Sequence, residues 1–220
     1  MADISASSTG ISIQVSLSGY SFKGEWHRSD SIFTTPEFQR RYERVDISLL
    51  TPKCTLVPQA FFTPEKAREQ LADVCRLRDT DLVEYVELPS LGAVLLYSLS
   101  IDESLSRVVA QTVLPTSGTP VKVLPEMYYL LTEAASFDEY NKIAASWADG
   151  WLHLVIFQGK SLMLANCFAA QDFTTALYHL LLCMKRLQLN PEVSTVCWRT
   201  PLDANSEMTL YRYFKSVMQL

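Results

Sequence analysis

Two short segments of the chain combine hydroxyl groups, a carboxylate and glycines at turns between apolar runs. Their sequences are Ser16-Leu17-Ser18-Gly19-Tyr20 and Ser146-Trp147-Ala148-Asp149-Gly150-Trp151. Hydroxyl groups donate hydrogen bonds to anions, a carboxylate holds the water shell of Mg²⁺, and glycine lets the backbone approach a phosphate. The candidate cleft residues are therefore Ser16, Ser18, Gly19, Ser146, Asp149 and Gly150. The three serines are equally expected as ordinary residues on the polar face of a strand.

Other motifs give no support for catalysis, and no catalytic residue is expected. Gly159-Lys160-Ser161 resembles the end of a Walker A loop, but the earlier glycine that such a loop needs is replaced by Leu154, inside an apolar run. A hairpin turn with an exposed lysine is the favoured interpretation. His27, His153 and His179 are isolated from one another, and each is expected at the rim or edge of the core rather than as a base.

The cysteines indicate reduced and mostly buried thiols in the cytoplasm. Their number is odd, they are widely spaced, and no Cys-x-x-Cys is present. This pattern favours free thiols over disulfides or a zinc site. The five cysteines are Cys54, Cys75, Cys167, Cys183 and Cys197. We therefore expect neither a metal nor a cofactor.

The composition is that of a globular protein with an acidic balance. Of the 220 residues, 48% are apolar and 20% are charged, and the net charge is −5. An acidic chain is a poor match for nucleic acid or an anionic membrane, which attract basic patches. No apolar run reaches the ~18 residues of a membrane span. Residues 1–10 have no basic residue and no apolar core, so they predict a frayed tail rather than a signal peptide.

One basic cluster interrupts this acidic balance. It contains Arg40, Arg41 and Arg44, and acidic residues accompany it at Glu37, Glu43 and Asp46. Such mixed charge favours a solvated face over a phosphate site.

The first part of the chain predicts a hairpin followed by alternating strands and helices. Residues 11–17 alternate strictly between apolar and polar, Ser18-Gly19 supplies a turn, and Tyr20 and Phe22 restart the alternation. Further strands are predicted at 31–34, 45–49, 53–57, 82–88 and 93–99. Helices are predicted from Thr63-Pro64-Glu65, from a capping box at 100–103, and from Pro125 to about Ala135.

The second part of the chain repeats the opening pattern. Residues 143–147 alternate, Asp149-Gly150 predicts a hairpin turn, and strands are expected at 151–157 and 160–168. An amphipathic helix follows from Phe173, then a strand at 195–198 and a final helix at 207–218. A last strand matching the first part is not predicted, so the second part is expected to be incomplete.

Three antiparallel strands followed by α/β units therefore occur twice. This is the ribonuclease-H-like layout, and two such halves in tandem make the actin-like ATPase fold, an α/β architecture with mixed sheets and a ligand cleft between its halves. Residues 1–10 are assigned to the tail, 11–138 to the first half and 139–220 to the second half, as a domain duplication.

Several motifs, in their order along the chain, resemble a known family. They are the run from Ile11 to Phe22, Thr55-Leu56-Val57-Pro58, Ala165-Asn166-Cys167-Phe168 and Gln171-Asp172-Phe173. Together they resemble a Bacteroidetes family of unknown function with an actin-like ATPase fold, over about residues 11–210. The resemblance implies the fold and a bacterial, cytoplasmic setting, and it implies no activity.

An active actin-like ATPase needs an acid at the end of the first strand of each half and glycine-rich turns around the phosphates. No carboxylate lies at Ser16 to Ser18, Asp149 lies two or three positions late, and residues 198–203 contain no glycine. The leading hypothesis is a non-catalytic module that binds another protein, including a copy of itself. The alternative is a nucleotide- or small-ligand-binding protein, a weak ATPase or phosphotransferase, that uses the cleft between the halves and keeps Asp149 as its acid.

Overall fold

A computed structural model describes residues 10–16, 18–34, 36–99, 109, 113–118 and 121–220. The strands are β1 Gly10–Val15, β2 Gly19–Phe22, β3 Glu25–Arg28, β4 Arg41–Tyr42, β5 Arg44–Leu49, β6 Cys54–Pro58, β7 Val83–Leu88, β8 Ala93–Ser98, β9 Leu114–Pro115, β10 Val123–Pro125, β11 Asn141–Ala148, β12 Trp151–Gln158, β13 Ser161–Ala169, β14 Thr195–Trp198 and β15 Ser216–Gln219. The helices are α1 Ala67–Ala72, α2 Glu126–Ser136, α3 Phe173–Arg186 and α4 Ala204–Tyr211.

Two five-stranded sheets have the same topology. The first sheet has the order β3-β2-β1-β5-β10, and the second has the order β13-β12-β11-β14-β15. In each sheet the first three strands are antiparallel and the last two run parallel to the first strand. The predicted duplication of a ribonuclease-H-like layout, and with it the actin-like fold class, is confirmed.

The alternation in β1 places one face of the first sheet in its core. Ile11, Ile13 and Val15 are buried together with Ile47 of β5 and Tyr20 of β2. The opposite face carries polar side chains, among them the buried amide of Gln14 and hydroxyl of Ser48, and it faces α2. The first sheet therefore presents a polar surface towards the second sheet.

The second sheet is covered on both faces. The apolar stripe of α3 packs against one face of β11 and β12, where Leu180, Met184 and Trp198 are fully buried. Asp172 caps α3 by accepting a 2.7 Å hydrogen bond from the backbone nitrogen of Thr175. The other face packs against α2 and against a third sheet, so β12 is buried on both sides.

This third sheet lies in the chain between β5 and β10, and we call it the inserted sheet. Its order is β6-β8-β7, and its strands β7 and β8 form where the apolar runs at 82–88 and 93–99 predict strands. Leu71 of α1 packs on one face with Val94 and Leu96, while Leu88 and Leu95 face the second sheet. A further two-stranded ladder joins β4 to β9.

Two predicted elements are wrong. The third strand of the first sheet is β3 and not residues 31–34, because Lys23 and Gly24, with φ of 52° and 78°, turn the chain directly back onto β2. The predicted final helix ends at Tyr211, and β15 then pairs in parallel with β14. The second sheet consequently has the fifth strand that the sequence does not predict. Of the tail predicted at 1–10, Gly10 belongs instead to β1, and residues 1–9 lie outside the described residues. The capping box predicted at 100–103 also lies outside them.

Candidate functional site at the contact between the two sheets

The two turns singled out in the sequence contact each other directly. The backbone nitrogen of Ser18 donates a 3.0 Å hydrogen bond to Oδ2 of Asp149, and the Ser18 hydroxyl donates a 2.6 Å bond to Oδ1. These residues are 131 positions apart in the chain. The β1–β2 turn is therefore joined to the β11–β12 turn by a paired contact through one carboxylate.

The backbone of the second turn directs the Asp149 carboxylate. Asp149 and Gly150 both have positive φ, 49° and 78°, as a two-residue hairpin turn requires. Aspartate tolerates this left-handed conformation better than most side chains, and glycine adopts it freely. The Asp-Gly pair predicted from the sequence thus forms the turn and fixes the position of its acid.

Ser16 and Gly19 have local structural roles in the first turn. The Ser16 hydroxyl is buried and lies 3.3 Å from the Gly19 carbonyl oxygen and 3.2 Å from the Ser18 hydroxyl. A Cβ added at Gly19 would lie 2.1 Å from the carbonyl oxygen of His27 on β3. The strand pairing of β2 and β3 therefore requires glycine at this position.

Ser146 belongs to a buried polar network centred on Glu126. Glu126 is the first residue of α2 and is fully buried. Its carboxylate accepts four hydrogen bonds, two from the first sheet and two from the second sheet or the segment after it. The donors are Gln14 Nε2 at 3.1 Å, Ser48 Oγ at 2.6 Å, Ser146 Oγ at 2.5 Å and Arg199 Nη1 at 2.7 Å. One carboxylate thus connects β1, β5 and β11 with the residue that follows β14.

The charges in this network compensate each other. Burial alone would raise the pKa of Glu126, but the Arg199 guanidinium and the Ser146 and Ser48 hydroxyls outweigh burial and hold it below its usual value of 4.5. Burial would lower the pKa of Arg199, and the neighbouring carboxylates of Glu126 and Glu133 raise it instead. Nε of Arg199 lies 2.9 Å from Glu133. Both partners are therefore charged at neutral pH, as a buried ion pair with further hydrogen bonds.

Tyr129 completes the surroundings of this ion pair. The Arg199 guanidinium lies 4.8 Å from the centre of the Tyr129 ring, within cation–π range. Burial raises the pKa of the Tyr129 hydroxyl, so this side chain stays neutral.

Sequence reasoning missed Glu126 and Arg199. Glu126 follows Pro125 in the first turn of a helix, where an acid is ordinary, and Arg199 directly follows a short apolar strand. The two residues are 73 positions apart, so no local spacing connects them. An arginine at the end of a buried strand is the single signal that the sequence offered.

His153 is not at the edge of the core, where the sequence analysis expected it. Its side chain is fully buried on β12, and Nε2 lies 3.0 Å from the carbonyl oxygen of Thr51. A carbonyl oxygen can only accept, so Nε2 carries the hydrogen. Burial lowers the pKa of His153 despite the bond to Thr51 and the negative charge of Glu126. The neutral ring therefore links the second sheet to the start of the inserted sheet.

His179 and the Gly159 turn have structural positions. His179 on α3 stacks on Phe168 with ring centres 5.1 Å apart. Gly159 and Lys160 form the turn between β12 and β13 rather than a phosphate loop before a helix. The expected hairpin turn is confirmed.

A cleft of about 610 Å³ lies beside the network, over the polar face of the first sheet. Gln14, Tyr129 and Arg199 belong to its lining, together with Arg40 and the two exposed ion pairs Lys23–Glu37 and Arg44–Asp46. None of the six residues predicted for a cleft is among the described residues that line it. Ser18 and Asp149 meet each other outside this volume.

The amino-acid sequence matches one family over nearly its whole length. The family described as "Protein of unknown function (DUF3822)" matches residues 7–217. The chain belongs to this family. The predicted family resemblance is confirmed, and the family has no assigned activity.

Two solved structures support the fold. A protein from Bacteroides thetaiotaomicron, described as having an actin-like ATPase fold and unknown function, superimposes with a TM-score of 0.66 at 18% identity, covering 96% of this chain and 90% of that one. A structure entitled "PilM-PilN type IV pilus biogenesis complex" gives a TM-score of 0.51 at 10% identity, covering 96% and 88%. No curated protein matches this chain. At these identities, the likeness establishes the fold alone.

The described part of the chain contains neither a cluster of metal-binding side chains nor a membrane-spanning helix. There, no group of three or more His, Cys, Asp or Glu side chains is arranged to hold a metal ion. No helix within the described ranges has the length and apolar character needed to cross a membrane.

Proposed function

We propose that this protein is a non-catalytic actin-like module that acts by binding another protein. The observation that carries this proposal is the direct hydrogen bonding of Ser18 to Asp149. In an active ATPase of this fold, the turns of the two halves face the nucleotide phosphates and their Mg²⁺. Here the amide and hydroxyl of one turn are satisfied by the carboxylate of the other. A contact within the protein thus occupies the groups that a phosphate would need.

The state of Glu126 supports the same proposal. A carboxylate has about four acceptor sites, and four protein donors already bind Glu126. Recruiting it to a hydrated metal ion would break bonds that are buried between the sheets. This fully buried acid therefore stabilises the arrangement of the two sheets.

An exposed apolar surface near the edge of the second sheet is a candidate for partner binding. Met208 and Tyr211 on α4 are 64% and 51% exposed, and Met218 on β15 is 45% exposed. The Tyr211 hydroxyl lies 3.3 Å from the Val217 carbonyl oxygen, which places this side chain against the outermost strand. Exposed apolar side chains and unpaired strand edges are features of protein interfaces. The PilM-PilN structure shows that a protein with a similar fold is found in a complex.

Two measurements test the proposal together. Isothermal titration with ATP and Mg²⁺ is expected to give no binding in the wild type or in the Asp149→Asn variant. Partners are captured from the source cells, and light scattering of the pure protein measures self-association. We expect the double variant Met208→Glu with Tyr211→Glu to weaken partner binding in either measurement. Tyr178→Glu, which alters an exposed tyrosine on α3, is the matched control. Micromolar ATP binding that Asp149→Asn abolishes would contradict the proposal.

The cleft gives a specific reason to keep a second candidate function, which is binding of a small ligand. Its volume of about 610 Å³ lies within the range of ligand pockets, and its lining is polar with several charged side chains. Nucleotides and small metabolite anions are the probes to test by thermal shift. A shift that is lost in Arg40→Ala and retained in Asp149→Asn would assign binding to the cleft and not to the two turns.

A further inference from the structure

Two cysteines from different sheets lie close together. Cys54 begins β6 at the edge of the inserted sheet, and Cys167 lies in β13 at the edge of the second sheet. Their sulfur atoms are 3.7 Å apart, although the residues are separated by 113 positions. Both cysteines are partly buried residues. The fold thus places two thiols side by side across a boundary between two sheets.

The contact between the two sulfur atoms is a hydrogen bond in which either thiol can donate. The pKa of Cys167 is raised, first by its hydrogen bond to Cys54 and then by burial. The thiolate is the nucleophile in cysteine oxidation. The cysteine that ionises first therefore makes the first attack, and the other thiol, 3.7 Å away, completes the bond.

We propose that Cys54 and Cys167 form a site of reversible disulfide formation that responds to peroxide. The thiolate of one of the two cysteines attacks one oxygen of hydrogen peroxide, the O–O bond breaks, and the departing hydroxide takes a proton to leave as water. The thiol of the other cysteine then attacks the resulting sulfenic acid, its proton leaves with the hydroxyl as a second water, and the S–S bond forms. Two thiols are oxidised and one peroxide is reduced to two waters. A small dithiol reverses the reaction by exchange.

The distance to be closed is short. The sulfur atoms of a disulfide are about 2.0 Å apart, so the present distance of 3.7 Å between the two sulfurs must shorten to that length. β6 and β13 already lie beside each other, so the approach requires no separation of the two sheets. The bond would fix the inserted sheet to the edge of the second sheet, and its closed loop would contain more than half of the chain.

Cys75 is the competing thiol at this site. It follows α1, and its pKa is raised by burial and by the neighbouring Cys54. A bond between Cys54 and Cys75 would lie within the inserted sheet and its helix and would not join two sheets. The experiment must therefore identify the linked peptides and not merely count thiols.

The test treats the reduced full-length protein with hydrogen peroxide and counts the thiols that remain after denaturation. A loss of two of the five thiols is expected, with a non-reduced peptide linking Cys54 to Cys167. The melting temperature of the oxidised protein should rise by several degrees, because the cross-link restricts the unfolded chain. Cys54→Ser and Cys167→Ser should abolish both changes, whereas Cys75→Ser and Cys183→Ser should retain them.

The peptide map of the wild type keeps the test valid even if a variant folds poorly. Circular dichroism under reducing conditions identifies such a variant, and alanine then replaces serine. Retention of all five thiols at peroxide concentrations that oxidise free glutathione would overturn the proposal. A link from Cys54 to Cys75, or a link between two molecules, would overturn it equally.

Discussion

Arg199, which directly follows β14, donates a 2.7 Å hydrogen bond to Oε2 of Glu126, the first residue of α2. The guanidinium is only 7% exposed and the carboxylate is fully buried. Their pairing connects the second sheet to the helix that precedes it in the chain, while Gln14 and Ser48 connect the same carboxylate to the first sheet. The relative position of the two sheets therefore depends on one buried acid.

We predict that Glu126→Gln destabilises the protein by up to about 3–5 kcal/mol, because the buried Arg199 loses its fully buried partner and keeps the partly exposed Glu133. The glutamine amide would also direct a donor at groups that themselves donate. Urea unfolding at neutral pH measures the loss. Glu139→Gln, which changes an exposed glutamate, is the matched control and should stay within about 0.5 kcal/mol of the wild type.

The double variant Glu126→Leu with Arg199→Met separates loss of the pair from loss of packing. Replacing both charged partners by apolar side chains is expected to cost less than Glu126→Gln alone, because no buried guanidinium remains without its fully buried partner. Glu133 also loses Arg199 in this variant, but its side chain is 35% exposed to water. A double variant that is less stable than either single variant would show that Glu126 stabilises the structure chiefly through Gln14, Ser48 and Ser146.

We predict that the Ser18–Asp149 contact contributes about 0.5–1.5 kcal/mol and couples the two turns. Asp149→Gly is the suitable deletion, since glycine accepts the φ of 49° that would strain alanine. Ser18→Ala removes the hydroxyl alone and leaves the backbone donor. The two effects should be less than additive in a double-mutant cycle, and hydrogen exchange of both turns should increase. Strict additivity would show that the turns do not stabilise each other.

We predict that stability falls as the pH drops below about 6.5, because of His153. Burial lowers the pKa of this side chain from 6.5, so the unfolded chain binds the proton at a pH where the folded chain does not. Unfolding then becomes easier as the pH falls through this range. Between about pH 7.5 and about pH 5.5 the expected loss is about 1 kcal/mol.

The variant His153→Gln isolates this effect from other groups that titrate in acid. It should lack most of the pH dependence, since glutamine binds no proton there and its amide can still donate to Thr51. His179→Gln should retain the dependence, because His153 is intact in that variant. An unchanged slope in His153→Gln would assign the acid sensitivity to other residues.

We predict that Gly19→Ala destabilises the first sheet by roughly 2 kcal/mol or more, because the added Cβ would overlap the backbone of β3. The nearest atom is the carbonyl oxygen of His27, at 2.1 Å, and a backbone atom cannot move aside cheaply. Gly10→Ala is the control, since its nearest neighbours lie at 3.6 Å. Thermal unfolding compares the two variants, and equal melting temperatures would contradict the prediction.

The sequence by itself determined the elements whose signals are local. Strict alternation predicted β1, the Asp149-Gly150 pair predicted the turn before β12, and helical spacing from Phe173 predicted α3. These signals work because an element that buries one face must repeat apolar residues with its own period. The order of the elements was then sufficient for the duplicated layout and the fold class.

The tertiary structure alone decided the elements that depend on a distant partner. β15 is four residues long with no alternation that predicts a strand, and it forms because the edge of β14 is open to it. β3 is equally short and polar, and its position follows from the turn at Lys23 and Gly24. Short strands take their conformation from the neighbour that supplies their hydrogen bonds, and a sequence pattern does not record that neighbour.

The candidate site also combines residues that the sequence predicts with contacts that only the tertiary structure decides. The sequence selected Ser18 and Asp149 as polar residues at turns, but the hydrogen bond between them spans 131 positions. Glu126 and Arg199 were not selected, because each is unremarkable in its own segment and only the packing of two sheets buries them together. The local conformations of these residues are thus determined by the sequence. Their pairing and their charge states are determined by the low-dielectric contact between the two sheets, and this contact exists only in the folded chain.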